Sequence, residues 1–367
     1  MRILAPLFAL ALAGCPEPLG DDDSAGDPTF DPALAAALST TLQDQQGTYD
    51  TPGIVAAVQH ADGTVWVGAV GTSDLEGTPL TEAAAFKVAS VSKSFVAGLV
   101  MTFVDEGLLS LDTTTEPWIA HPRAAEWTIR MLLDHTAGVP EFSETSAFQT
   151  GGVRDYLDSE LVELVASLPL ENEPGAAHDY SNTHYVMLSM IVEGVADGPW
   201  QDELDARVLG PANLVDTRAP DGTDGWGDIV RGYFGGTDFT DTIRPSAIGA
   251  AGNIVSTGLD LAVWSRAFWG GRLLSEDSTA ALSSDAVPVS GSFSYGLGTM
   301  VLDEDEGLHL AHNGALNGYV SWAGYRPDLD VGLAVLSNGW LPGNPPGVNY
   351  SYDIASALWD DVLEQAE

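Results

Sequence analysis

Basic charge is what this chain has least of. Two lysines, Lys87 and Lys93, and eleven arginines stand against 53 acids, a formal charge of −40 over 367 residues. Partners that bind through Lys/Arg neutralisation, nucleic acids and anionic membrane surfaces, are excluded by that balance. The acids are scattered rather than blocked, which fits solubility or salty surroundings better than an acidic recognition surface. Cysteine occurs once, at Cys15, so no internal disulfide and no thiolate metal cluster is possible. No phosphate-cradling glycine loop, no internal repeat and no run long enough to span a bilayer is found. Hydrophobic content of 45% and ten Trp nevertheless provide for a large core.

The two surviving lysines therefore matter. Arginine stays protonated in proteins, whereas a desolvated ammonium can lose its proton and act as a base. Lys93 lies three residues after Ser90, in Ala89-Ser90-Val91-Ser92-Lys93-Ser94-Phe95. Val91, Phe95, Leu99 and Phe103 recur at helical spacing until Gly107, so an amphipathic helix is expected. Three residues apart, hydroxyl and amine share one helix face. A serine in a first helical turn also has an unpaired N–H for an oxyanion.

Two further stretches join this one. Tyr180-Ser181-Asn182 follows the Glu173-Pro174-Gly175 loop. A phenolate beside an ammonium has a lowered pKa, so Tyr180 is a candidate to share the base role, with Asn182 donating to a substrate carbonyl or to Lys93. Ala311-His312-Asn313-Gly314-Ala315 precedes a strand beginning at Tyr319. Gly314 would let substrate lie along a strand edge, Ala315 N–H would complete an oxyanion hole with Ser90 N–H, and His312 would supply a donor at the cleft mouth. His309 and His312, three apart on a strand, point to opposite faces. His178 and His184 lack ligand-like spacing, and no metal site or cofactor is expected. His135 is expected to be structural.

The elements outline a fold. A helix is expected over about Pro32–Gln46, then a hairpin from Gly53–His60 and Thr64–Gly71 around Asp62-Gly63. Helical pieces such as Leu157–Leu168 and Tyr185–Val195 occupy the middle. Strands at Ser294–Leu302, Tyr319–Tyr325 and Val331–Leu336 and a helix at Ser351–Leu363 close the chain. This predicts an α/β (α+β) architecture: one antiparallel sheet from both chain ends, flanked by helices, with a mostly helical insert.

Ser-x-x-Lys, Tyr-x-Asn and His-x-Gly, in that order, resemble the serine beta-lactamase and penicillin-binding family. Supporting stretches from Phe86-Lys87, Thr128 to Gly138, Gly252 to Thr257 and Tyr295-Gly296-Leu297-Gly298 look like its class C-related branch, which includes D-alanyl-D-alanine carboxypeptidases and esterases. The resemblance implies a beta-lactamase/transpeptidase-like fold and an acyl-enzyme on Ser90. Lys93 and Tyr180 would handle the proton, and Asn182, His312, Gly314 and Ala315 would bind substrate. Where class C lactamases typically carry lysine, His312 stands. This weakens a lactamase assignment and favours peptidase or esterase; a D-alanyl-D-alanine carboxypeptidase-like peptidase is expected, with an esterase or beta-lactamase of the same family as the alternative. A non-catalytic lipoprotein binding wall peptides or beta-lactams is the rival of another class.

The start of the chain resembles a bacterial lipoprotein signal. Met1-Arg2 is basic, Ile3–Ala13 is apolar, and Leu12-Ala13-Gly14 leads to Cys15. The expected organisation is a signal peptide over 1–14, a flexible acidic tether over 15–32 anchored by lipid at Cys15, and the hydrolase domain over 33–367. The expected location is exported, on a bacterial membrane, with a small-molecule or peptide substrate and no nucleic acid.

Overall fold

Asp31 starts the first helix. Its carboxylate accepts the N–H groups of Ala33 and Leu34 at 2.8 Å, and Pro32 occupies the first helical position. The computed structural model describes residues 29–222, 225–304, 307–340 and 350–366. The expected signal, Cys15 and most of the expected tether lie outside them. Helix α1 spans Pro32–Tyr49 and buries Leu34, Leu38 and Leu42, each contributing roughly 1.5–3 kcal/mol of burial.

The sheet joins the two ends of the chain. Strands β1 (Gly53–Gln59) and β2 (Val65–Gly71) form the expected hairpin. The C-terminal part supplies β3 (Val287–Ser290), β4 (Phe293–Tyr295), β5 (Met300–Glu304), β6 (Gly307–Leu316), β7 (Tyr319–Arg326) and β8 (Val331–Ser337). Their order is β2-β1-β8-β7-β6-β5-β4-β3, antiparallel throughout. Period-two alternation sorts the side chains. Ile54, Ala56 and Val58 face α1 and the closing helix, while Val55 and Ala57 face the larger core. Leu333 and Val335 divide from Ala334 and Leu336 in the same way.

Two expectations are corrected. The segment Ser294–Leu302 is two strands, because Gly298 takes φ +61° and Gly296 N–H bonds Thr299 C=O at 2.8 Å, making a turn. The helix after Ser90, α2 (Ser92–Asp105), is enclosed almost all round rather than amphipathic. It runs between the sheet-side helix α4 (Gly258–Trp269) and the helical insert, whose main element is α3 (Asn182–Ala196). Phe95 stacks on Trp264 with centroids 4.2 Å apart, and Trp264 Nε1 donates to Ser94 Oγ at 2.8 Å. These contacts set where α2 begins. The closing helix α5 spans Tyr350–Ala366 and packs with α1 over the sheet's other face.

Candidate active site

Ser90 lies one turn earlier than a simple helix start would place it. Ala89–Val91 is a 3₁₀ turn, entered through Ala89 at φ +48°, and the α-helix begins at Ser92. A left-handed alanine is strained by about 1 kcal/mol. Its neighbours hold it there: Val88 N–H bonds Ile254 C=O at 3.0 Å, Ser321 Oγ donates to Val88 C=O at 2.6 Å, and Ser92 Oγ accepts Ile254 N–H at 3.0 Å.

Lys93 then points back at Ser90. Its Nζ lies 3.3 Å from Ser90 Oγ, 2.7 Å from Asn182 Oδ1 and 2.8 Å from the Ala251 carbonyl. The side chain is fully buried, and burial pulls its pKa down to about 7, opposed by the charge of Glu141. The two oxygens of Asn182 and Ala251 accept only. A neutral amine therefore gives them its two hydrogens and turns its lone pair toward Ser90 Oγ. That is the geometry of a base poised on a hydroxyl.

Tyr180 differs from expectation. Its ring lies 4.8 Å from Lys93 Nζ, and its hydroxyl is near enough to the Ser90 side chain to be favoured by it when ionised. Yet its pKa is raised, foremost by burial of the hydroxyl and further by Glu141, against the effect of Ser90. The residue as a whole is 38% exposed. Tyr180 is thus a protonated phenol beside Lys93, not the acidified one expected.

His312 also departs from its expected role. Its Nδ1 lies 2.6 Å from the acceptor-only Asn313 carbonyl, so Nδ1 carries the proton, and Nε2 accepts from Tyr295 Oη at 2.8 Å. Both nitrogens are spent, and the ring is 1% exposed. Burial first, then the charge of Lys93, lowers its pKa to about 3. It is a neutral strut behind the site, not a donor at the cleft mouth. His309 does face the other way, edge-on to Trp359 of α5 at 5.7 Å.

Gly314 sits where no side chain fits. A Cβ there would lie 3.0 Å from Ser90 N, 2.3 Å from Val88 O and 2.4 Å from Ser321 Oγ. The strand edge thus presses on the Ser90 amide, and Ala315 follows it along β6.

Several contributors carried no signal in the sequence. Glu141 accepts the N–H groups of Asn182 and Ser143, capping α3 from another segment and setting its charge beside Lys93 and Tyr180. Tyr295 lay within a quoted stretch, but its bond to His312 required the fold. His135, at φ +60°, holds the Tyr180 loop: its Nδ1 accepts Ser181 N–H at 3.2 Å and its carbonyl accepts Asp179 N–H at 2.8 Å. The fold also brings His184 Nδ1 to 3.0 Å from His135 Nδ1, with both rings kept neutral by burial. Among the described residues, no group of three His, Cys, Asp or Glu is arranged to hold a metal.

Comparison with known proteins agrees with this geometry. The beta-lactamase family model matches residues 38–357. Penicillin-binding protein 4 of Amycolatopsis lactamdurans is 27% identical over 287 residues, covering 72% of this chain and 74% of that protein. Esterase EstB of Burkholderia gladioli is 32% identical over 201 residues, 50% of this chain and 51% of the esterase. The matches to the most similar curated relatives span from 32% to 74% of those proteins' own lengths. Among solved structures, the D-amino acid amidase of Ochrobactrum anthropi SV3 superposes with TM-score 0.83 at 23% identity, covering 91% of this chain and all of the amidase. That likeness is one of fold. The chain belongs to the beta-lactamase family, with the beta-lactamase/transpeptidase-like fold, and is related to penicillin-binding proteins and esterases.

Proposed function

We propose that this protein cleaves the amide of a D-amino-acid unit, as a peptidase of the D-alanyl-D-alanine carboxypeptidase kind, through an acyl-enzyme on Ser90. The observation that carries the reading is the buried Lys93 amine, 2.7 Å from Asn182 Oδ1, 2.8 Å from the Ala251 carbonyl and 3.3 Å from Ser90 Oγ, so that its neutral form can turn a lone pair to that hydroxyl. In the proposed reaction Ser90 Oγ attacks the carbonyl and passes its proton to Lys93. The oxyanion settles between the N–H groups of Ser90 and Ala315. Tyr180 relays the proton from Lys93 to the departing nitrogen, the C–N bond breaks, and the acyl group stays on Ser90. Water, deprotonated by the same pair, releases it as an acid.

Penicillin-binding relatives and the fold shared with a D-amino acid amidase support this substrate class. An esterase is the second reading. One observation favours it: His312 is neutral and spent, so the third motif offers no cation to a substrate's terminal carboxylate. The rival of a pure binder leaves the placed lysine base without a use. We further propose export and lipid anchoring at Cys15, on the strength of the first fifteen residues.

Intact mass spectrometry tests both. Fluorophosphonate or penicillin should add a covalent mass to wild type and none to Ser90→Ala; an unmodified wild type would leave the binder standing. Membrane-extracted protein should carry an acyl mass that Cys15→Ser lacks. Release of D-alanine from a wall pentapeptide, set against hydrolysis of a nitrophenyl ester, separates peptidase from esterase.

A further inference from the structure

The charge of the molecule reverses in one place. Two larger cavities, of about 580 and 590 Å³, are dominated by acids, Asp303, Glu304 and Asp360 beside Arg326 in one and Asp158, Glu193 and Asp221 in the other. A cavity of about 320 Å³ is lined, among the described residues, by Arg154 and Arg244 and by no acid. In a chain with 53 acids and 13 bases that is a marked local excess of positive charge.

Arg244 is unusual among the arginines themselves. Eight of those in the described residues are held in ion pairs. Arg218 donates to the carbonyls of Trp226 and Asp228. Among the described residues Arg244 alone gives its guanidinium to neither an acid nor a hydrogen-bond acceptor. Arg154 lies 3.6 Å over the Tyr156 ring and shares its charge with Glu160 at 3.4 Å.

Three walls of the cavity come from segments that also build the Ser90 site. Ser143 on one wall gives its N–H to Glu141, whose other oxygen holds Asn182. Asn317 on the second lies two residues past Ala315, its Nδ2 bonded to Thr242 Oγ1 at 3.0 Å. Ala247 on the third precedes, within the same short loop, the Ala251 carbonyl that holds Lys93. Because the cavity and the Ser90 site share these three segments, a substrate with its carbonyl at Ser90 can extend toward the cavity.

We infer that the cavity is a subsite for a carboxylate on the acyl portion of the substrate, with Arg244 as its charge partner and Arg154 as a weaker second. A guanidinium presents a planar fork matched to a carboxylate, and its unpaired state leaves the fork open to a ligand. The acyl portion is assigned because it stays on Ser90 through both half-reactions, whereas a leaving group must diffuse out of any walled pocket. This assignment rests on the reading of Ser90 as the acylated residue.

The test compares two 4-nitrophenyl esters of equal acyl length, hydrogen glutarate and valerate, on the full chain. Wild type should favour glutarate in kcat/KM by about tenfold, the size of one charge-assisted hydrogen bond at a half-open site. Arg244→Gln should erase the preference through KM, Arg244→Lys should restore part of it, and added salt should shrink it. Equal wild-type rates for the two esters would overturn the subsite. So would an Arg244→Gln variant that slows both equally. A preference for acid on the other side, 4-acetoxybenzoate over phenyl acetate, with none for glutarate, would overturn the acyl assignment. Failure of the Ser90 reading shows separately, as absence of fluorophosphonate labelling. In that event calorimetric binding of monoethyl glutarate to wild type and Arg244→Gln decides the subsite, and equal binding refutes it.

Discussion

Lys93 and Lys87 lie six residues apart, both are wholly buried, and in both burial lowers the amine pKa to about 7. Their surroundings are opposite. Lys87 Nζ donates to one carbonyl, that of Thr240 at 2.6 Å, and otherwise faces the rings of Trp226 at 4.1 Å and Tyr319 at 5.0 Å. Aromatic faces attract a cation and offer it no proton to take. Lys93 has two acceptors and a hydroxyl. Desolvation alone therefore does not make a base. The second requirement is a proton donor in line with the lone pair, and only Lys93 has one.

Three measurements press on that contrast. The largest effect is expected from Lys93→Arg, which keeps a cation but never yields a lone pair. It should lower kcat/KM by about 10³–10⁴ with no recovery at high pH. In Lys87→Met the activity and its pH profile should be retained. A similar loss in both variants would erase the distinction.

Next in size is stability. Each lysine has a folded pKa of about 7 against 10.5 unfolded. Between those values the unfolded chain binds a proton that the folded chain does not, so stability rises with pH across this window. Lys87→Met should remove up to about 1.4 kcal/mol per pH unit of that slope, read from urea midpoints between pH 7.5 and 9.5. An unchanged slope would mean that Lys87 is charged in the fold.

The smallest effect concerns Glu141. Wild-type kcat/KM should fall as the pH drops through about 7, because protonated Lys93 has no lone pair. Glu141 raises the Lys93 pKa, so Glu141→Gln should move this acid limb to lower pH. Movement in the other direction, or none, would show that Glu141 acts as a helix cap alone.

Much of this was legible beforehand, and for physical reasons. The hairpin around Asp62-Gly63 showed itself because a tight turn needs specific residues, and Gly63 takes φ +86°. Ser-x-x-Lys was visible because three-residue spacing is a local property. The split at Gly296–Thr299 was hidden within an apolar run that read equally well as one strand. The enclosure of α2 was hidden too, since a helix does not state how many of its faces are covered. Glu141, 41 residues from Asn182 in sequence, had no pattern to announce it. The phenol of Tyr180 was expected to be acidified by its neighbouring ammonium, but its burial, with Glu141 beside it, raises its pKa, and Lys93 is itself desolvated toward the neutral amine.

Residue types and short spacings by themselves determined which side chains are chemically capable: a lysine retained where cations are scarce, a serine one turn before it, a glycine where a strand must approach. Those are properties of single residues and of neighbours along the chain. Only the tertiary structure decided which amine faces a hydroxyl, which histidine is spent on a tyrosine, and which arginine is left without an acid. Each of these depends on desolvation and on groups brought together from distant segments, and no local stretch encodes either.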